Sequence, residues 1–99
     1  MKNGELTKKE IDNLAQRFKI LSLESRLTIL SVLFTGEKNV TEIIEATGLL
    51  QSNVSKQLKA LSDEGIIKGV RRGSNKYYKL IDETVMMICS MMCQNKVKK

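Results

Sequence analysis

The sequence predicts a mainly α-helical chain with one β-hairpin, in the order α-α-α-α-β-β-α. Three observations predict it. Apolar residues recur at helical spacing in five stretches. Two short runs rich in β-formers, IIKGVRR and KYYKLI, flank the turn residues Gly73, Ser74 and Asn75. Residues 40–61, VTEIIEATGLLQSNVSKQLKAL, read as two short helices joined at Gly48, which supplies the backbone freedom of a tight turn.

Taken in order, a polar start gives way to a first helix at Leu6 or Thr7. Its apolar residues Ile11, Leu14, Ala15, Phe18 and Leu21 share a face, and Thr7 with Glu10 has the form of a capping box. Leu23, Glu24 and Ser25 break the pattern, and Ser25 is the expected N-cap of a second helix over 26–34 with Leu27, Leu30, Leu33 and Phe34 turned inward. Gly36 ends it.

The third helix buries Val40, Ile43, Ile44 and Ala46. The fourth buries Val54, Leu58 and Leu61 and is closed by Gly65. A hairpin with a three-residue loop follows. Asp82 then caps a last helix running to about Asn95, apolar almost all round through Val85, Met86, Met87, Ile88, Met91 and Met92. Such a helix needs a partner beyond its own chain, and a second copy is the simplest. The order of elements is that of a winged helix-turn-helix, expected as one domain over residues 1–99.

Composition narrows the function. The 99 residues carry 17 Lys+Arg against 11 Asp+Glu, a formal charge of +6. Between residues 51 and 79 lie Lys56, Lys59, Lys68, Arg71, Arg72, Lys76 and Lys79 against only Asp63 and Glu64. Seven minus two leaves +5 on the fourth helix and hairpin, the pattern expected for a polyanionic partner. Lys96, Lys98 and Lys99 read as a solvated tail. With no histidine, the commonest general base and metal ligand is missing, and no enzyme is expected. No apolar run reaches transmembrane length and no signal peptide is evident, so a cytoplasmic protein with reduced thiols is expected, without a membrane partner.

Double-stranded DNA is the expected ligand. On the open face of the fourth helix stand Gln51, Ser52, Asn53, Ser55, Lys56, Gln57 and Lys59. Ser52, Asn53, Ser55 and Gln57 suit hydrogen bonds to base edges or phosphates, whereas Lys56 and Lys59 suit phosphates and supply affinity rather than sequence preference. Arg71, Arg72 and Lys76 of the hairpin suit the DNA backbone or minor groove. Tyr77 and Tyr78 face opposite ways, one toward the core.

Cys89 and Cys93, four apart, share a face of the last helix. Two readings stand side by side. One is a thiol sensor answering a persulfide, an oxidant or a soft metal. The other is a pair of small hydrophobes in a Met-rich packing helix. A disulfide between them fits helix geometry badly. For the methionines, packing is the better reading than copper(I) ligation.

Over residues 14–81 the chain resembles the ArsR/SmtB family of winged-helix repressors. The segments that carry the resemblance are LAQRFKILSLESRLTIL, VTEIIEATGLLQSNVSKQLKALSDEGII and RRGSNKYYKL. The resemblance implies a homodimer, paired through its first and last helices, that binds a partly palindromic operator and releases it on an inducer signal. Two reading helices in successive major grooves imply half-sites about 10 base pairs apart.

The usual metal sites of the family are absent. Residues 39–43, NVTEI, hold no thiol, and the last helix has Asp82 and Glu83 without histidine. No metal or other cofactor is therefore expected. The chain looks more like the branch that senses persulfides or oxidants. Cys93 stands about where that branch carries its second cysteine, but Ser31 occupies the first position, so the branch's intrachain disulfide cannot form. Leu50 replaces the usual polar N-cap and Gln57 a common histidine. The alternative function is a winged-helix regulator or protein-interaction module that senses nothing. A thiol-redox enzyme fits poorly, since the cysteines lack the two-residue spacing of redox dithiols.

Overall fold

A computed structural model describes residues 4–97, with the backbone alone over 94–97. The tail residues Lys98 and Lys99 lie outside the described residues, as do 1–3, and the side chain of Lys96 is not described. The elements are α1 (Lys8–Leu21), α2 (Glu24–Phe34), β1 (Lys38–Asn39), α3 (Val40–Thr47), α4 (Gln51–Asp63), β2 (Ile67–Arg72), β3 (Asn75–Leu80) and α5 (Glu83–Val97).

Local chemistry sets most boundaries. Thr7 and Glu10 form the capping box of α1: the Thr7 hydroxyl accepts from Glu10 N at 3.1 Å, and Glu10 Oε1 accepts from Thr7 N at 2.8 Å. Asn39 and Glu42 repeat the device at α3, with both bonds at 2.9 Å. Gly48 takes the left-handed conformation at φ +75° and turns α3 into the approach to α4. At the far end of α4, Gly65 does the same at φ +74°. There the Ile66 amide donates to Leu61 O at 3.0 Å and the Gly65 amide to Ser62 O at 3.0 Å, the paired bonds of a Schellman motif.

Four expectations are corrected. Ser25 does not cap α2. The helix begins at Glu24, and its N-cap is Leu23, which offers no side-chain bond. Within α2, Leu27 is exposed and Ile29 is fully buried, so the inward face is rotated from the one expected. In α3, Ala46 is exposed. The hairpin loop has two residues rather than three, because Asn75 pairs with Arg72 and leaves Gly73 and Ser74 at the tip. A further element has no sequence counterpart: β1 pairs Lys38 with Tyr78 and Asn39 with Tyr77, making a three-stranded antiparallel sheet in the order β1-β3-β2.

The core gathers Ile29 and Leu30 of α2, Ile43 of α3, Val54 and Leu61 of α4, Ile66 and Ile67 at the start of the wing, and Val85 of α5. Burial of each such side chain contributes about 1.5–3 kcal/mol. This core holds α4 and the hairpin in a fixed relation.

The terminal helices stand partly outside it. On α1 only Ile20 and Leu21 are buried; Ile11 and Phe18, expected inside, are 52% and 56% exposed. On α5, Met87, Met91 and Met92 are likewise exposed. The radius of gyration is 14.9 Å, above the ~13 Å of a compact domain of this length, as projecting helices require.

Candidate nucleic-acid interface

α4 is held by Val54, Leu58 and Leu61, all buried. Gln51, Ser52, Ser55, Lys56 and Lys59 on the opposite side are exposed, and Asn53 is half-buried at the edge. Leu50, just before the helix, is exposed, and no side chain caps the first turn. Lys59 lies 3.4 Å from Asp63 in an exposed i,i+4 pair, an interaction weak enough to yield to a stronger anion.

Gln57 departs from its expected place. Only 4% of it is exposed. Its Oε1 accepts from Arg26 Nε of α2 at 2.8 Å, and its Nε2 donates to Asn53 Oδ1 at 3.1 Å. It is a buried link between α2 and α4 and does not stand on the open face. Its spacing puts it there: three, four and one residues from the buried Val54, Leu61 and Leu58.

The hairpin register sorts the wing cations onto two faces. Arg71 lies directly opposite Lys76, and Lys68 opposite Lys79. Like charges in cross-strand positions repel, so the wing is poised to gain from an anion.

Two of the expected wing cations are folded back. Arg72 lies over the ring of Tyr77, 5.6 Å from its centroid, and reaches Glu37 beside β1. Nη2 donates to Oε2 at 2.8 Å, and Nη1 stands 2.7 Å from Oε1 without aiming an N–H at it. Lys76 lies over Tyr78 at 5.5 Å, its stem crossing Gly69, where a β-carbon would collide with it. Each tyrosine thus anchors one cation on its own face of the sheet, worth about 0.5–1 kcal/mol at such sites. Arg71, exposed near the tip, makes no ion pair or ring contact among the described residues.

Between α4 and the wing runs an open groove of about 290 Å³ edged by Ser55, Lys59, Ser62, Lys76 and Tyr78. It brings the Ser55 and Ser62 hydroxyls and the Lys59 ammonium of the helix, with the Asp63 carboxylate beside them, to the same opening as the Lys76 ammonium of the hairpin.

The thiols lie elsewhere, on α5. Cys89 is half-buried against the core and Cys93 is exposed. Burial, and secondarily the charge of Cys93, pushes the Cys89 thiol above its ordinary value. Cys89 is therefore a thiol at neutral pH. Among the described residues no three His, Cys, Asp or Glu side chains gather in a way that could hold a metal ion. Nor is any described helix long and apolar enough to cross a membrane.

These elements define a winged helix-turn-helix protein. The family model described as "Bacterial regulatory protein, arsR family" matches residues 24–68. The chain belongs to the ArsR family, whose members are transcriptional regulators and not enzymes.

It is 39% identical to the HTH-type transcriptional regulator NmtR of Mycobacterium tuberculosis over 74 residues, which cover 75% of this chain and 62% of NmtR. Its structure superposes on the AntR antimony-specific transcriptional repressor with a TM-score of 0.83 at 29% identity, covering 99% of this chain and 91% of AntR. It also superposes on the homodimeric winged helix-turn-helix DNA-binding domain of Mb0332 from Mycobacterium bovis, a possible ArsR-family regulator. There the TM-score is 0.75 at 30% identity, over 97% and 91% of the two chains. The chain spans between 36% and 62% of the length of the curated relatives it matches.

Proposed function

We propose that the chain is a dimeric, sequence-specific DNA-binding repressor that releases its operator on an inducer signal. The observation that carries this is the surface shared by α4 and the wing, where Ser55, Lys59 and Lys76 edge one groove beside the exposed Gln51, Ser52 and Lys56. The α4 side enters the major groove. Ser52, Asn53 and Ser55 meet base edges, Lys56 and Lys59 meet phosphates, and Arg71 with Lys76 meets the flanking backbone. Arg72 joins them only on leaving Glu37. The uncapped first turn of α4 leaves amide donors for a phosphate.

Pairing runs through α1 and α5. Their exposed Ile11, Phe18, Met87, Met91 and Met92 give two apolar strips that one chain leaves uncovered. The homodimeric state named for the Mb0332 domain supports this reading. The whole chain, 1–99, then acts as one reading unit of the pair.

The signal acts on α5. Cys93 is exposed on the same helix face as Cys89, at the helix assigned to pairing, so a soft ion or an oxidant captured there alters the dimer and with it the spacing of the two α4 helices. The antimony specificity named for AntR is in keeping with a thiophilic inducer.

Selection of duplexes from a randomised pool, followed by fluorescence anisotropy on the selected site, tests the function. A two-fold-symmetric site bound far more tightly than scrambled duplex is the expected result. Equal affinity for both refutes it.

A further inference from the structure

The buried chain Arg26–Gln57–Asn53 has a direction. An arginine side chain can only donate hydrogen bonds. Arg26 Nε donates at 2.8 Å to Gln57, so the atom facing it is the amide oxygen of Gln57. The amide nitrogen of Gln57 must then face Asn53, where it donates at 3.1 Å. The atom of Asn53 that receives it is therefore its oxygen. Each amide orientation follows from the one before, and the cation at the start settles them all.

The consequence falls at the surface. Asn53 stands in the first turn of α4, at the edge between the buried and open sides. Its Oδ1 is held inward by Gln57. Among the described residues, its Nδ2 donates to no protein group.

A free asparagine contacts adenine through both ends of its amide, donating to N7 and accepting from the N6 amino group. One lone pair of the Asn53 oxygen is taken by Gln57 and the carbonyl is turned toward that residue, which leaves the amide hydrogens as the groups free for DNA. Guanine, whose major-groove edge carries two acceptors, N7 and O6, is the base it fits.

We propose that Gln57 is a positioning residue, polarised by Arg26, that makes Asn53 a donor-only reader with a preference for guanine over adenine at one base pair of the half-site. The proposal rests on the DNA-reading function above. It goes beyond that function in assigning to a buried residue the choice between two bases that Asn53 alone would not make.

The test is the relative affinity for half-sites differing only by G·C against A·T at the pair that Asn53→Ala shows to be read. The wild type prefers guanine by roughly tenfold, the scale of one good base contact. Gln57→Glu keeps the bond from Arg26 but removes the donor toward Asn53. The Asn53 amide then turns to donate inward and presents its oxygen to the DNA. The preference shifts toward adenine, whose N6 donates, while the added charge lowers affinity for all sequences alike.

Arg26→Met, at a half-buried position, removes the cation that sets the direction, and the preference relaxes toward equality. It decides the matter should the first variant fail to fold, with circular dichroism as the check on both. An unchanged guanine preference in folded Gln57→Glu or Arg26→Met overturns the proposal, as does a wild-type preference for adenine, or none, at that pair. A wild type without any preferred sequence overturns the DNA-reading function itself, so the two failures are told apart.

Discussion

Arg17 of α1 holds Asp82, the residue that opens α5, through two nitrogens: Nε donates to Oδ2 at 2.9 Å, and Nη2 lies 2.9 Å from the same oxygen. The other oxygen of Asp82 accepts from Val85 N at 3.0 Å and caps α5. One carboxylate thereby fixes the angle between the two helices proposed to build the dimer, 65 residues apart in sequence.

The side chain of Asp82 is only 7% exposed, so its loss is expensive. Asp82→Ala removes the cap and leaves the guanidinium without its partner, and is expected to lower stability by about 2–3 kcal/mol in urea denaturation. Burial draws the Asp82 carboxyl upward, but the Arg17 hydrogen bond and charge, with the Val85 and Thr84 amides, prevail and hold it below its ordinary 3.8. A group lowered in the folded state stabilises the fold above its unfolded value and loses that contribution as pH falls through the folded one. Stability should therefore decline below about pH 4, and Asp82→Asn should show a flatter acid limb in the same titration.

Much of this architecture was legible because local chemistry dictates it. Thr7 with Glu10, Gly48, Gly65 and Asp82 each act where their spacing placed them, and Val54, Leu58 and Leu61 are buried as their period required. Two of the failures share one cause, a partner distant in sequence. Gln57 looks like a surface residue until Arg26, 31 positions earlier, supplies a donor inside. Arg72 looks like a free wing cation until Glu37, 35 positions away, meets it. β1 is two residues long, too short for any alternation to register. The apolar stripe of α1 was readable, but a stripe does not say whether its own core or another chain covers it, and Ile11 and Phe18 are left uncovered.

The ion pair between Arg72 and Glu37 sets a wing cation aside. Arg72 is 58% exposed and Glu37 31%, so the pair adds little to stability, under about 1 kcal/mol. Glu37→Gln removes a negative charge close to the wing and frees a guanidinium. DNA affinity should rise severalfold at low salt, with thermal stability nearly unchanged. An affinity that stays the same would mean that Arg72 remains on Tyr77 in the complex.

Lys56 is exposed on the open side of α4 and makes no recorded ion pair among the described residues. Lys56→Ala should weaken binding to specific and scrambled duplex by the same factor. The slope of log K against log salt should fall by about 0.9, the release associated with one phosphate contact. Titration at four salt concentrations reads both. A loss confined to the specific site would reassign Lys56 from phosphate to base.

The two thiols should differ in reactivity. Cys89 is half-buried with its thiol pushed up, first by burial and then by Cys93, and a neutral thiol is a poor nucleophile. Iodoacetamide at pH 7.5 should alkylate Cys93 first, as peptide mass spectrometry would show, with Cys89 following only as the pH is raised or the chain unfolds. If soft ions act through these residues, Cys93→Ser should abolish release from DNA, whereas Cys89→Ala should leave part of the response.

The proposed pairing through α1 and α5 can be broken without touching the reading surface. Phe18 is 56% exposed and Met91 63%, so neither supports the fold of one chain to any great extent. Across a two-fold axis every substitution acts twice. Replacing a buried apolar side chain costs about 1.5–3 kcal/mol each time, so Phe18→Asp or Met91→Asp should weaken self-association by about a hundredfold or more. Sedimentation velocity should find monomers at micromolar concentration with helical content intact. Because a monomer engages one half-site where the dimer engages two, affinity for the full site should fall steeply while affinity for a single half-site stays near that of the wild type. A variant that remains dimeric would place the pairing surface elsewhere on the molecule, and the exposed Leu23 and Leu27 near the start of α2 would be the next to test.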